Sequence, residues 1–262
     1  LFKFVAVGVY PERFADTPGY SSGSPDWSPD GKFIAYDTWK VEETYMKSQI
    51  AVIRADGSDP RLLGPGAMSN WSPDGKLLVC HVYTRPTTIV VMKPDGTGRE
   101  TIINHFGSPR WSPTGNRIAT SLRGGIALHD LATGTEQSIF PRAYNLLHGF
   151  SISPDGLRFC FGERRNGLLV ATLDEQTMTA SVRHVLEQGE LDHTSWAPDG
   201  RRVVFCWHPD LKNGQLYVMD VDGKEPPRLL EGQDPNRHNT NADWSPDGKT
   251  IIYASGPAVE SP

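Results

Sequence analysis

Long apolar runs are missing from this chain. No stretch approaches the roughly 18 to 20 consecutive apolar residues that a bilayer-spanning helix needs, so no membrane span is expected. Cysteine is scarce and odd in number, three in 262 residues. Cys80 in LLVCHV, Cys160 in RFCFG and Cys206 in VVFCWH each sit in a separate apolar, β-like run, which fits buried free thiols rather than a disulfide framework. A basic excess is lacking too. Lys and Arg total 26 against 31 Asp and Glu, a formal charge of −5. A dedicated nucleic-acid binder needs a concentrated basic face to neutralise phosphates, so no nucleic-acid partner is expected. The sequence contains no Walker loop, dinucleotide glycine fingerprint, HExxH or CxxC pair. An initiator Met is also missing: the chain opens at Leu1, as expected of a processed mature form or a trimmed sequence from which any signal peptide has gone.

What is abundant is turn chemistry. The chain has 26 Gly and 21 Pro beside 37% hydrophobic residues, enough apolar material for a core and many breaks in it. Those breaks repeat. WSPDGK occurs at Trp27 to Lys32, Trp71 to Lys76 and Trp244 to Lys249, with WSPTGN from Trp111, ISPDGL from Ile152 and WAPDGR from Trp196. The six starts lie 44, 40, 41, 44 and 48 residues apart, the length of one four-stranded propeller blade. In each copy Pro presets φ, Asp or Thr tolerates the next position, and Gly takes the left-handed conformation that closes a hairpin. A strand therefore ends at the Trp and another starts after the Gly. The runs FIAYDT, LLVCHVY, RIATSL, RFCFG, RVVFCW and TIIYAS supply the second strands, B, and QIAVIRADG through QLYVMDVDG the third strands, C. The predicted fold is all-β, a single domain over 1–262: a six-bladed β-propeller of four-stranded antiparallel blades. Its last blade combines 1–20 with 238–256, so that N-terminal strands complete it. The Trp of the motif is read as core, filling the wedge between neighbouring blades.

These repeats resemble the PD40, or WD40-like, repeats of the TolB β-propeller family, over almost the entire chain. The resemblance implies the six-bladed fold and a periplasmic or extracytoplasmic location. Related repeats precede the hydrolase domain of prolyl-oligopeptidase-like peptidases, but the only GxSxG match, Gly19 to Gly23, falls in a predicted DA loop and not at a strand-to-helix elbow.

In such a fold the AB and CD turns share one face, and the BC and DA loops share the other. The first carries the repetitive turns, and the second nearly everything irregular, which is where a rigid scaffold usually carries binding function. Residues read as lining the channel mouth on that face are His81, Arg123, Tyr144, His148, Arg165, His193, Trp207, His208, Arg237 and His238. The bland alternative is that polar loops collect His and Arg. The sharper one is that His148, His193 and His238, preceding the innermost strands of blades four, five and six, converge as three imidazoles on a divalent transition metal. HTSWAPDG at His193 with FCWHP at His208 resembles oligogalacturonate lyases, which implies metal-assisted β-elimination on acidic sugars. The leading expectation is a monomeric, non-catalytic binding scaffold without cofactor, receiving a protein segment or small ligand at the mouth; a metal-assisted carbohydrate-active enzyme is the alternative.

Overall fold

Every WSPDG motif builds the same turn for the same reason. Ser28 Oγ donates to Asp30 Oδ1 (2.7 Å) and accepts the Phe33 amide (2.9 Å), while Gly31 takes a φ of 68°. Ser72 with Asp74 and Gly75, and Ser245 with Asp247 and Gly248, repeat it. The motif is thus a self-contained clamp that reverses the chain before any tertiary contact is made. The computed structural model describes residues 1–5, 11–15, 17–122, 125–140, 146–164, 166–187, 189–208 and 213–257.

Two short strands open the chain, β1 (Phe2–Val5) and β2 (Glu12–Arg13). Blade one follows as β3 (Tyr20–Trp27), β4 (Phe33–Lys40), β5 (Gln49–Arg54) and β6 (Arg61–Pro65), and blade two as β7 (Ala67–Trp71), β8 (Leu78–Val82), β9 (Thr88–Met92) and β10 (Glu100–Ile103). Blade three is β11 (Pro109–Trp111), β12 (Arg117–Leu122), β13 (Gly125–Asp130) and β14 (Glu136–Ser138), and blade four β15 (Leu146–Ile152), β16 (Arg158–Glu163), β17 (Gly167–Asp174) and β18 (Thr179–Leu186). Blade five is β19 (Glu190–Trp196), β20 (Arg202–His208), β21 (Gln215–Asp220) and β22 (Arg228–Leu229); β23 (Arg237–Trp244) and β24 (Thr250–Pro257) begin blade six. That blade is completed by β1 and β2 in the order β2-β1-β24-β23, with Phe2 opposite Tyr253 and Val5 opposite Thr250. The propeller and its closure are therefore as expected.

Side chains alternate along each B and C strand, so each blade feeds two wedges. In β20, Val203 and Phe205 pack with Cys160, Leu168 and Val170 of blade four, whereas Val204 and Cys206 pack with Ile251 and Tyr253 of blade six. Six such clusters, one between each pair of neighbouring blades, make up the core of the described residues. The repeat tryptophans serve these wedges: Trp71, Trp111 and Trp196 are buried in them and Trp27 and Trp244 pack against them. All three cysteines are buried and free.

The strands reach further toward the BC and DA loops than turn composition predicts. Asp37, His81, Gly162 and Trp207 lie in the second strands as expected, and His208, beyond the run RVVFCW, is a strand residue too, as are His148, His193, Arg237 and His238. Antiparallel partners extend them, with Glu190 opposite His208 and Arg237 opposite Pro257. The GYSSG segment likewise enters β3, pairing Ser21 with Trp39. Four of the innermost strands then bulge at a non-glycine residue in the left-handed region, Ser24, Met68, His193 and Asn241, and β15 does so at Gly149. Such bulges cost local strain and re-aim side chains. Among the described residues, no helix is long and apolar enough to cross a membrane.

Candidate functional site

The residue immediately before each repeat Trp, or its Ile152 equivalent, lies on an innermost strand and lines the axial channel. Going round, these are Asp26, Asn70, Arg110, Ser151, Ser195 and Asp243, all bordering one cavity of about 170 Å³. They are linked blade to blade. The Trp27 amide donates to Asp243 Oδ2 (2.9 Å), the Trp71 amide to Asp26 Oδ2 (2.7 Å) and the Trp111 amide to Asn70 Oδ1 (2.7 Å). Asn70 Nδ2 donates to Asp26 Oδ1 (2.8 Å), and Ser195 Oγ to Asp243 Oδ1 (2.7 Å). The bulges place Ser24, Met68, His193 and Asn241 on the same cavity, and Asn241 Nδ2 donates to Ser24 Oγ (3.0 Å).

This ring carries unusual electrostatics. Burial, and then the charge of Asp243, push the Asp26 carboxyl up to about 7, against the pull of Arg110, the Trp71 amide and Asn70. Burial raises Asp243 as well, opposed by the Trp27 amide, Ser195 and Arg110. Two buried carboxylates and one guanidinium in a small space favour sharing a proton over carrying two full negative charges. The cavity is smaller than the roughly 300 Å³ at which small-molecule pockets begin; it suits water or the polar tip of something held outside.

The expected mouth residues separate into several places. His81 is completely buried between blades two and three, its Nδ1 3.3 Å from the Gly107 carbonyl and its ring against Tyr83 and Phe106; burial pushes its pKa down to about 4. Trp207 turns toward blade four and meets Tyr217 edge-on. Arg237 is held by its own blade, with Nε donating to Ser255 Oγ and Nη2 to the Ser255 carbonyl, both at 2.8 Å. His193 faces the axial cavity, 3.4 Å from Thr240 Oγ1. Arg123, Tyr144 and Arg165 lie outside the described residues, as does the side chain of His148. Of the expected metal trio, the structure therefore speaks for two members: His193 is axial, and His238 turns instead toward His208, with ring centroids 5.2 Å apart.

His208 and His238 belong to a tighter group. His208 Nε2 lies 3.0 Å from Asp192 Oδ2 and 3.5 Å from Cys206 Sγ, and one ligand atom from each of Asp192, Cys206, His208 and His238 lies within 4.8 Å of all the others. Asp192 and Cys206 are opposite each other across the β19–β20 ladder, and His208 is two residues along on the same face.

A second feature occupies the BC and DA end between blades one and three. Trp39 meets Tyr45 edge-on (4.9 Å), Tyr45 meets Tyr83 (6.0 Å), Tyr83 meets His81 (4.6 Å) and His81 meets Phe106 (5.4 Å). Tyr45 is fixed because its hydroxyl donates to the fully buried Asp37 Oδ2 (2.8 Å), which also accepts the Met68 amide (2.9 Å). At the edge of this run Phe106 is 54% and Met46 65% exposed. The axial ring escaped the sequence reading although its signal was present, a side chain at one fixed offset before every motif; so did Asp192 and Cys206, which share no motif.

Residues 20–233 match the sequence profile of PD40, the TolB beta propeller domain. Uncharacterized protein Atu1656 of Agrobacterium fabrum is 25% identical over 196 residues, which are 73% of this chain and 60% of the relative, so the chain spans about three fifths of that protein's length. Among solved structures, a protein of Agrobacterium tumefaciens described as a TolB candidate superposes with a TM-score of 0.77 at 20% identity, covering 98% of this chain and 97% of the other. TolB from Acinetobacter baumannii gives 0.66 at 18% identity, covering 96% of this chain and 59% of the other.

Proposed function

The chain belongs to the TolB β-propeller domain family, and on that premise we propose that it is a non-catalytic binding scaffold whose BC and DA end receives a protein segment. The observation that carries this reading is the aromatic run from Trp39 to Phe106, held rigid by neighbouring rings and by the Tyr45–Asp37 bond, with Met46 and Phe106 exposed at its edge. Aromatic residues and Met are the types enriched at protein interfaces, and rigid aromatic anchors cost little ordering entropy on binding. The small polar cavity on the axis supports the same reading, because it can seat a side-chain tip while the surrounding surface holds the segment. The hydroxyls that border it are already committed, Ser195 to Asp243 and Ser151 to Thr194 (2.8 Å), which fits binding better than nucleophilic chemistry.

A random peptide library panned against the immobilised protein tests this. The expected result is a set of peptides that lose about tenfold or more in affinity on Tyr83→Ala or Phe106→Ser and keep it on Lys76→Glu at the opposite end. Failure to enrich any peptide, or enrichment only of peptides indifferent to Phe106→Ser and Met46→Ser, overturns the reading.

A further inference from the structure

We propose that Asp192, Cys206, His208 and His238 form a structural site for a divalent transition metal, zinc by preference, that fastens blade five to blade six. This inference is independent of the docking surface, which lies across the ring between blades one and three.

The four donors come from three strands that the fold alone brings together. Asp192 and Cys206 face each other across the β19–β20 ladder and point toward blade six. His208 follows Cys206 by two residues and so shares its face. His238 arrives from β23, the innermost strand of the next blade. One carboxylate, one thiol and two imidazoles are a donor set that zinc takes in tetrahedral geometry, with bonds of about 2.0 to 2.3 Å and hence ligand-to-ligand separations near 3.3 to 3.7 Å. Of the separations from His208 Nε2, 3.5 Å to Cys206 falls inside that range and 3.0 Å to Asp192 just below it, and the widest pair, within 4.8 Å, closes by a small side-chain adjustment.

The surroundings favour the same assignment. Cys206 is fully buried, and the His208 and Asp192 side chains are 13% and 16% exposed, so the donors are shielded from competing water but remain near the mouth by which an ion enters. Gly214 passes directly over the group: a side chain there would run into Cys206 Sγ and His208 Nε2. Its amide donates to His238 Nδ1 at 3.1 Å. A coordinated, neutral His238 has no lone pair left for that amide, so binding exchanges one neutral hydrogen bond for a metal bond. Four protein donors leave no coordination position for substrate, which makes the site structural and not catalytic. Its softest ligand, the thiol, selects zinc or cobalt over calcium or magnesium. The site lies one strand away from the ladder where the ring closes.

The test uses the full chain, reduced and stripped of metal with chelator, and titrated with Co²⁺ and then Zn²⁺. One equivalent of Co²⁺ should give intense tetrahedral visible bands and a near-ultraviolet sulfur-to-cobalt charge-transfer band, and Zn²⁺ should displace it and raise the melting temperature. Cys206→Ser should erase the charge-transfer band. His208→Gln should weaken Zn²⁺ binding more than the roughly 10- to 100-fold that loss of an outer-shell partner costs. His105→Gln, which removes an exposed His–Glu136 pair elsewhere (2.8 Å), should change nothing. If His208→Gln fails to fold, the half-buried Asp192→Asn and His238→Gln variants carry the same comparison. No cobalt band in the wild type, a band that survives Cys206→Ser, or binding lost with His105→Gln but not with the four-donor variants overturns the proposal.

Discussion

Asp26 shows how much a single side chain in the ring is asked to do. It accepts the Trp71 amide and the Asn70 amide across the blade boundary, yet burial beside Asp243 raises its carboxyl to about 7 from an ordinary 3.8. A group that holds its proton more tightly in the folded chain than in the unfolded one makes folding more favourable as pH drops between those two values. His81 works in the opposite sense, since its folded pKa of about 4 lies below the ordinary 6.5 and its contribution is lost as pH falls through that interval. At about pH 7 and above the Asp26 effect is the larger, and His81 is common to the wild type and Asp26→Asn, so the difference between them isolates Asp26. The melting temperature should therefore rise as pH is lowered from about 8 to about 6.5, and Asp26→Asn should flatten that slope; a wild-type slope of the opposite sign, or one unchanged by Asp26→Asn, would contradict the assignment. The position of Asp26 was legible, because every repeat has a residue at that offset. Its chemistry was not, because neither the burial nor the proximity of Asp243, 217 residues away, is a local property of the chain.

Among the elements, β1 has the most disproportionate role. Its four residues pair with β24 from Phe2 opposite Tyr253 to Val5 opposite Thr250, and Leu1 is buried with Ile34, Tyr36 and Ile252 in the wedge between blades six and one. Removing residues 1–15 takes two strands from blade six and uncovers that wedge. Burial of Leu1 and Phe2 alone is worth about 3 kcal/mol or more, so a fall in melting temperature of about 10 °C or more is expected in a thermal unfolding scan of the truncated chain. Turn chemistry made the strands legible, since Ser, Asp and Gly of each motif close their own hairpin. Strand ends were not, because they depend on partners: His208 lies beyond the run RVVFCW but is opposite Glu190 across β19 and β20. The left-handed bulges were equally silent, as Ser24, Met68, His193 and Asn241 share no residue type that announces them.

At the scale of the molecule, order declines from axis to rim. The inner strands carry the amide-to-side-chain links and the buried wedges, whereas β14 and β22 are exposed throughout. Hydrogen exchange followed by mass spectrometry should therefore protect peptides from β7, β19 and β20 most and those from the outermost strands least; uniform protection would mean that the blades do not share a common hub. Six repeats of about equal length made the ring and its closure legible. Convergence of Asp192, Cys206, His208 and His238 was not, since it needs two blades to be set side by side first.

Among the described residues, the chain of amide bonds around the axis links three of the six pairs of neighbouring blades. Asp243, Asp26 and Asn70 each accept from the following blade, but Arg110 has only donors and offers nothing to the amide of Ile152. Between the third and fourth blades the joint combines one backbone bond, from the Ala180 amide to the Ile139 carbonyl (2.8 Å), with oily contacts, Ala119, Ile126 and Leu128 against Phe150, Phe159, Phe161 and Leu169. Attraction of that kind fades on chilling while polar links persist, so refrigeration would slacken one spoke of the wheel before the rest.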